Sequence, residues 1–204
     1  MTIHFHEGDL PDDLDLGPVV AIDSETMGLR FRRDPLCVVQ LSAGDGEAHV
    51  LRLNRPDYDC PNLKRLLADP AVLKLFHFGR FDIAMFQLHL GVETRPVYCT
   101  KIASKLARTY TDRHGLKDVV RELVGVDLSK TQQSSDWGAA ELSPAQLEYA
   151  ASDVLHLHAA KVRLDEMLER EGRADLARRC FDFLPDRCAL DLAGWDETDI
   201  FAHS

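Results

Sequence analysis

The sequence predicts a mixed α/β fold, a sheet carrying helices on both faces. Three observations support it. Short apolar runs rich in β-branched residues recur at 19–22, 37–41, 48–53 and 72–76. Asp45-Gly46, between the second and third runs, is a hairpin turn signal. From Pro61 onward, apolar residues at helical spacing alternate with short strands.

Taken in order, residues 1–17 form a polar lead-in with a short strand near 3–5. A strand over 18–23 runs from Pro18 through four apolar residues into Asp23-Ser24-Glu25-Thr26. Arg30, Arg32, Arg33 and Asp34 make a loop before the strands at 37–41 and 48–53. Pro61 opens a helix that ends at Asp69-Pro70. A strand over 72–76 and a helix over 79–90 follow, the helix stopped by Gly91. Residues 96–99 form a fifth sheet strand, and Thr100 reads as the N-cap of a helix through Thr109. Another helix covers 115–124, and an irregular loop covers 126–142. Ser143, Pro144 and Gln146 make a capping box for the longest helix, reaching to about Glu171. A last helix over 173–183 precedes an acidic tail. There is no repeat or Pro/Gly-rich linker, so one domain is expected over 1–204, with its core at about 18–170 and a C-terminal helix and tail at 171–204.

The net charge of −10 argues against a nucleic-acid partner until its distribution is considered. Residues 1–20 carry five acids and no Lys or Arg, and residues 181–204 carry six acids and one Arg. The two ends account for the whole net charge. Residues 101–130 hold seven Lys/Arg against four acids, a basic strip compatible with phosphate. The five cysteines are widely spaced with no CxxC, which predicts reduced thiols and a cytoplasmic location. No run approaches the ~20 apolar residues of a membrane span, so no membrane partner is expected.

Three carboxylate clusters carry candidate chemistry. Asp23 and Glu25 stand two apart on a strand, so they face one way, about 7 Å apart. On this stretch alone a solvated acidic turn and a metal site are both open readings. Asp82 follows the strand at 72–76 in the first turn of a helix, where the dipole favours an acid whether or not it binds anything. Tyr149 and Asp153 are i, i+4 neighbours on the long helix, which by itself describes a hydrogen-bonded surface pair.

Together, a DxET ending a first strand, an HxxxxD after a later one and a YxxxD on a late helix resemble the DEDDy 3′–5′ exonuclease family, and within it the catalytic domain of ribonuclease D. The resemblance runs from Pro18 to Leu168 and includes Leu36-Cys37-Val38-Val39-Gln40-Leu41 and the approach through Ser135-Asp136-Trp137. It implies a ribonuclease H-like mixed five-stranded sheet flanked by helices. It also implies two Mg²⁺ or Mn²⁺ ions held by Asp23, Glu25, Asp82 and Asp153, with Tyr149 orienting the attacking water. Thr26, Met27 and Leu29 resemble the segment that meets the terminal nucleotide, and His77 is a candidate phosphate contact. For Leu29, core packing is the competing reading. Gln40 reads as a satisfied core amide, His156 and His158 as structural or solvent-facing. Arg30, Arg32, Arg33, Lys101, Lys105, Arg108 and Lys117 are candidates for tracking a phosphate backbone, each alone better read as a solvated charge.

The implied partner is single-stranded nucleic acid, RNA in preference to DNA, with a nucleoside monophosphate as product. Phe78 departs from the family, where many members have Asn. Larger ribonuclease D proteins add helical HRDC domains after the nuclease domain. The sequence beyond Leu168 is short for one, so grip on substrate is expected from the catalytic domain, a partner or an oligomer. Action on DNA or on both nucleic acids is the alternative. A catalytically inactive nucleic-acid-binding module comes next, and a glycosidase using the Asp23/Glu25 pair ranks last because it leaves Asp82 and Asp153 without a role.

Overall fold

The computed structural model describes residues 1–203 apart from Lys130 and Gln133. Lys130 of the basic strip therefore lies outside the described residues. The strands are β1 (Thr2–Glu7), β2 (Val19–Thr26), β3 (Leu36–Ser42), β4 (Glu47–Arg52), β5 (Leu73–Phe76) and β6 (Val97–Cys99). The helices are α1 (Pro61–Ala68), α2 (Arg80–Leu90), α3 (Thr100–Ala107), α4 (Leu116–Val124), α5 (Pro144–Leu155), α6 (Leu157–Arg170) and α7 (Ala174–Leu190), followed by a π-turn at Asp191–Trp195.

All six strands join one sheet in the order β1-β4-β3-β2-β5-β6. Among the described residues the expected mixed sheet has six strands, not five, because the lead-in forms a full edge strand. β1 runs parallel to β4 from Thr2↔Glu47 to Glu7↔Arg52. Its half-exposed face is lined by histidines, so it lacks the continuous apolar signature of a buried strand. β2 is the pivot: it pairs antiparallel with β3 and parallel with β5. Its end therefore lies where the sheet changes direction, the place where open α/β sheets bind ligands.

Val20, Ala21 and Ile22 on β2 and all of β3 are buried. Each large aliphatic side chain so buried contributes roughly 2 kcal/mol. The main core joins Val20, Ala21, Ile22, Leu36, Val39 and Leu41 to α1, α2, α3, α6 and α7, through Leu63, Phe86, Ala103, Leu164 and Phe181 among others. A second cluster, Cys37, Val38, Val50, Trp137 and Ala150, sits beneath α5. α7 is longer than the sequence suggested, and its Phe181, Leu184 and Cys188 belong to the main core.

The expected single helix over 143–171 is two helices. It breaks at His156, whose backbone (φ −108°, ψ 0°) leaves the helix between α5 and α6. No glycine or proline marks the break. Nearby, His158 Nε2 bonds the Val19 carbonyl at 2.9 Å, which makes it structural. Its ring abuts Gly44, where φ is +82° and any Cβ would come within 2.6 Å of it. Thr100 is the first residue of α3, not its N-cap; its hydroxyl donates to the Phe76 carbonyl at 3.1 Å. All five cysteines are free, and no described helix is long and apolar enough to cross a membrane.

Candidate active site

Antiparallel pairing places Asp23 opposite Gln40 and Glu25 opposite Val38, so both acids share the sheet face that α5 covers. A register shift between Glu25 and Thr26 ends the regular ladder just beyond them. From α5, Asp153 reaches the same point: ligand oxygens of Asp23, Glu25 and Asp153 lie within 4.8 Å of one another. Asp82, in the first turn of α2, is 4% exposed and accepts a 2.6 Å hydrogen bond from Ser24 Oγ. The four acids, read from three separate stretches of sequence, thus converge on the end of β2.

Their electrostatics follow from crowding and removal from water. Burial raises Asp23 well above the usual carboxylate range, and Asp82, Asp153 and Glu25 repel it further. Burial pushes Glu25 up to about 9, with Asp153 and Asp82 adding to it. Asp82 and Asp153 are each raised by burial to about 7, against the lowering effects of Ser24 and of Tyr149 respectively. A hard divalent cation relieves both costs at once, and an all-carboxylate donor set suits one. Tyr149 lies beside Asp153; burial and the surrounding acids raise its pKa, so the phenol stays protonated. Its ring packs on the buried Trp137, with centroids 6.0 Å apart.

Two groups that bind these acids escaped sequence reasoning. Gln40 is not merely a core amide: its Nε2 donates to Asp23 Oδ2 at 2.7 Å. Ser24 ties Asp82 to β2. The signal for Gln40 is the hairpin register, which sets it directly across from Asp23; nothing local marks Ser24.

The substrate candidates fall in different surroundings. Leu29 is 81% exposed and Met27 47%, which removes core packing as the reading of Leu29. The loop holds Leu29 out: Gly28 packs so closely on the Asp34 carboxylate that a Cβ would meet it at 2.4 Å. Met27 lies against Gly138, and its amide is already used by the Pro35 carbonyl. Thr26 Oγ1 donates to the Gly28 carbonyl. His77 Nδ1 pairs with Thr100 Oγ1 at 2.8 Å, while Nε2 has no partner among the described residues. Burial, with Lys101 second, lowers its pKa to about 3, so the ring is neutral. Phe78 adopts φ +68°, a left-handed conformation that Asn tolerates better, and Lys101 Nζ sits 4.2 Å above its ring centre. Arg108 does not face a phosphate: it is fully buried, bonded to Glu122, Ser104 and the Arg113 carbonyl.

Residues 6–169 match the 3′–5′ exonuclease family. The chain belongs to that family. Ribonuclease D of Granulibacter bethesdensis is 41% identical over 156 residues, covering 76% of this chain and 39% of that protein. The chain spans about two fifths of the length of the curated ribonuclease D relatives it matches. Among solved structures, Brucella melitensis NrnC with bound Mg²⁺ is 56% identical with a TM-score of 0.96, covering 100% of both chains. The same protein bound to pGG is 57% identical with a TM-score of 0.97, again over 100% of both. The α/β class read from the sequence, ribonuclease H-like with flanking helices, therefore stands, with the added edge strand β1.

Proposed function

We propose that this chain is a single exonuclease domain over 1–204 that hydrolyses single-stranded RNA from its 3′ end by a two-metal-ion mechanism, releasing nucleoside monophosphates. The observation that carries the reading is the meeting of Asp23, Glu25 and Asp153 within 4.8 Å, with Asp82 anchored beside them through Ser24. The Mg²⁺ bound by the Brucella neighbour, similar over 100% of both chains, supports a hard divalent cation in this chain too.

Asp23, Glu25, Asp82 and Asp153 would hold two Mg²⁺ or Mn²⁺ ions. Bound there, the ions would supply Lewis-acid stabilisation of developing charge and lower the pKa of the attacking water. Gln40 fixes one oxygen of Asp23, and Ser24 fixes one of Asp82. Tyr149, protonated at neutral pH, acts as a hydrogen-bond partner that orients water, not as a general base. Leu29 and Met27 present apolar surface at the exposed end of β2, fit to pack on a terminal base. Thr26 holds the turn that presents them. His77 is neutral and donates its one N–H, at Nδ1, to Thr100 Oγ1, which leaves a buried acceptor at Nε2; this supports a role in positioning the start of α3 rather than the phosphate contact that the resemblance implied.

A second reading has its own support. The structure of NrnC bound to pGG, over the full length of both chains, favours RNA fragments of two nucleotides as substrates of this site. One experiment addresses both readings. 5′-labelled RNA and DNA of matched sequence, and a two-nucleotide RNA, are incubated with Mg²⁺, Mn²⁺ or EDTA. A descending ladder on RNA, absent with EDTA and slower on DNA, is expected. Equal rates on RNA and DNA would end the claim of RNA specialisation. Cleavage confined to the two-nucleotide RNA would replace the first reading with the second.

A further inference from the structure

We propose that β1 and β4 carry a second, chemically different metal site, for a zinc-class transition-metal ion, built from His4, Glu47 and His49 at the edge of the sheet. The parallel register pairs His4 with His49 and Thr2 with Glu47, so side-chain alternation brings His4, His6, Glu47 and His49 to one face. His4 Nε2 lies 2.8 Å from Glu47 Oε2, and ligand atoms of His4, Glu47 and His49 are all within 4.8 Å of one another. The His4 and His49 rings stack at 18° with centroids 4.7 Å apart, so binding one ion requires the half-exposed His4 ring to turn until its Nε2 and the His49 nitrogen face the same point.

The separations suit one small ion. Ligand atoms about 2.0–2.1 Å from a tetrahedral zinc stand roughly 3.3 Å from each other. The 2.8 Å pair therefore needs to open by only a few tenths of an ångström. Two imidazoles and a carboxylate form a recurrent zinc donor set that leaves a fourth position for water. His6 Nε2 bonds His49 Nδ1 at 3.0 Å, with the rings stacked 5.3 Å apart. It holds the His49 ring in place, as partners outside a metal's own ligand set do. His4 and Glu47 side chains are 40% and 46% exposed, so an ion reaches them from solvent.

The donor chemistry separates this site from the carboxylate cluster. Imidazole nitrogen selects Zn²⁺, Co²⁺ or Ni²⁺, whereas an all-oxygen cluster suits Mg²⁺ and Mn²⁺. The position suggests what the ion does. β1 is the edge strand and, among the described residues, pairs only with β4. An ion shared by His4 of β1 and Glu47 and His49 of β4 clamps the N-terminal strand to the sheet.

Co²⁺ titration of the whole protein, with Mg²⁺ in excess to fill the carboxylate site, tests this. Four-coordinate Co²⁺ absorbs visible light strongly, and six-coordinate Co²⁺ among oxygens does so faintly. Strong absorption that saturates at one equivalent and is bleached by Zn²⁺ is expected. Asp23→Asn keeps it, and His4→Gln and His49→Gln each weaken Co²⁺ binding at least tenfold. His4 is half-exposed on the edge, so His4→Gln remains informative if the buried His49 variant fails to fold. Faint absorption in the native protein, or unchanged binding in His4→Gln, would overturn the proposal.

Discussion

Gln40 stands directly across the β2–β3 ladder from Asp23 and donates its amide to Asp23 Oδ2 at 2.7 Å. One oxygen of Asp23 is thereby held by the protein. Gln40→Met keeps the volume and removes the donor. Loss of such an orienting partner weakens metal binding by about 10–100-fold. The apparent Mn²⁺ affinity should fall by about that much while far-UV dichroism stays native. An unchanged Mn²⁺ dependence would show that Gln40 only fills space.

Glu25, Asp82 and Asp153 all lie above the usual carboxylate range, at about 9, 7 and 7. Their folded pKa values exceed those of the unfolded chain, near 4. Between those limits the folded protein binds more protons than the unfolded one, so stability falls as pH rises. In EDTA, thermal unfolding temperature should decline from about pH 4 toward pH 9. Saturating Mg²⁺ or Mn²⁺ should flatten the decline, because ions bound to the folded state stabilise it. A profile that is the same with and without metal would contradict the assignment of these acids as ligands.

Tyr149 is held protonated by burial and neighbouring acids, beside Asp153 and against Trp137. Tyr149→Phe should lower kcat by about 10²-fold, the lower range for removing one positioned hydrogen-bond donor. Metal affinity should be unchanged. Full activity would remove Tyr149 from the mechanism.

Arg80 begins α2 two residues before Asp82, and its guanidinium bonds Asp191 at 2.5 and 2.7 Å. Arg187 reaches the same buried carboxylate at 3.0 Å. Asp191→Ala removes the shared carboxylate and leaves both cations only their carbonyl partners around Trp195–Thr198. Breaking a buried ion pair costs about 3–5 kcal/mol, and the partly exposed Arg80 places this case at about 3 kcal/mol. That corresponds to roughly 10 °C in Tm, measured by calorimetry. A shift under 2 °C would mean that the π-turn does not brace α2.

What the sequence disclosed, and what it hid, divides along physical lines. Asp23, Glu25, Asp82 and Asp153 were singled out because their three stretches, in that order, resemble one family; each stretch alone left a solvated turn, a helix-start acid or a surface pair open. Gln40 and Ser24 were not, because their roles depend on which atom faces them across a strand or from another helix. The break at His156 lacked a glycine or proline, and the short strand read near 3–5 gave no local sign of its full length or of its parallel place beside β4. Arg108 looked like a surface charge, and its burial depends on Glu122 fourteen residues away along the chain.

The central claim is that the end of β2 is a four-carboxylate metal site that drives hydrolysis from the 3′ end. The most direct measurement is the product ladder from 5′-labelled single-stranded RNA with Mn²⁺, comparing the native chain with Asp23→Asn and Asp153→Asn. The native chain should shorten the RNA stepwise from its 3′ end, while both variants, folded to native thermal stability or above, should leave it intact. Undiminished shortening by either variant would contradict the claim.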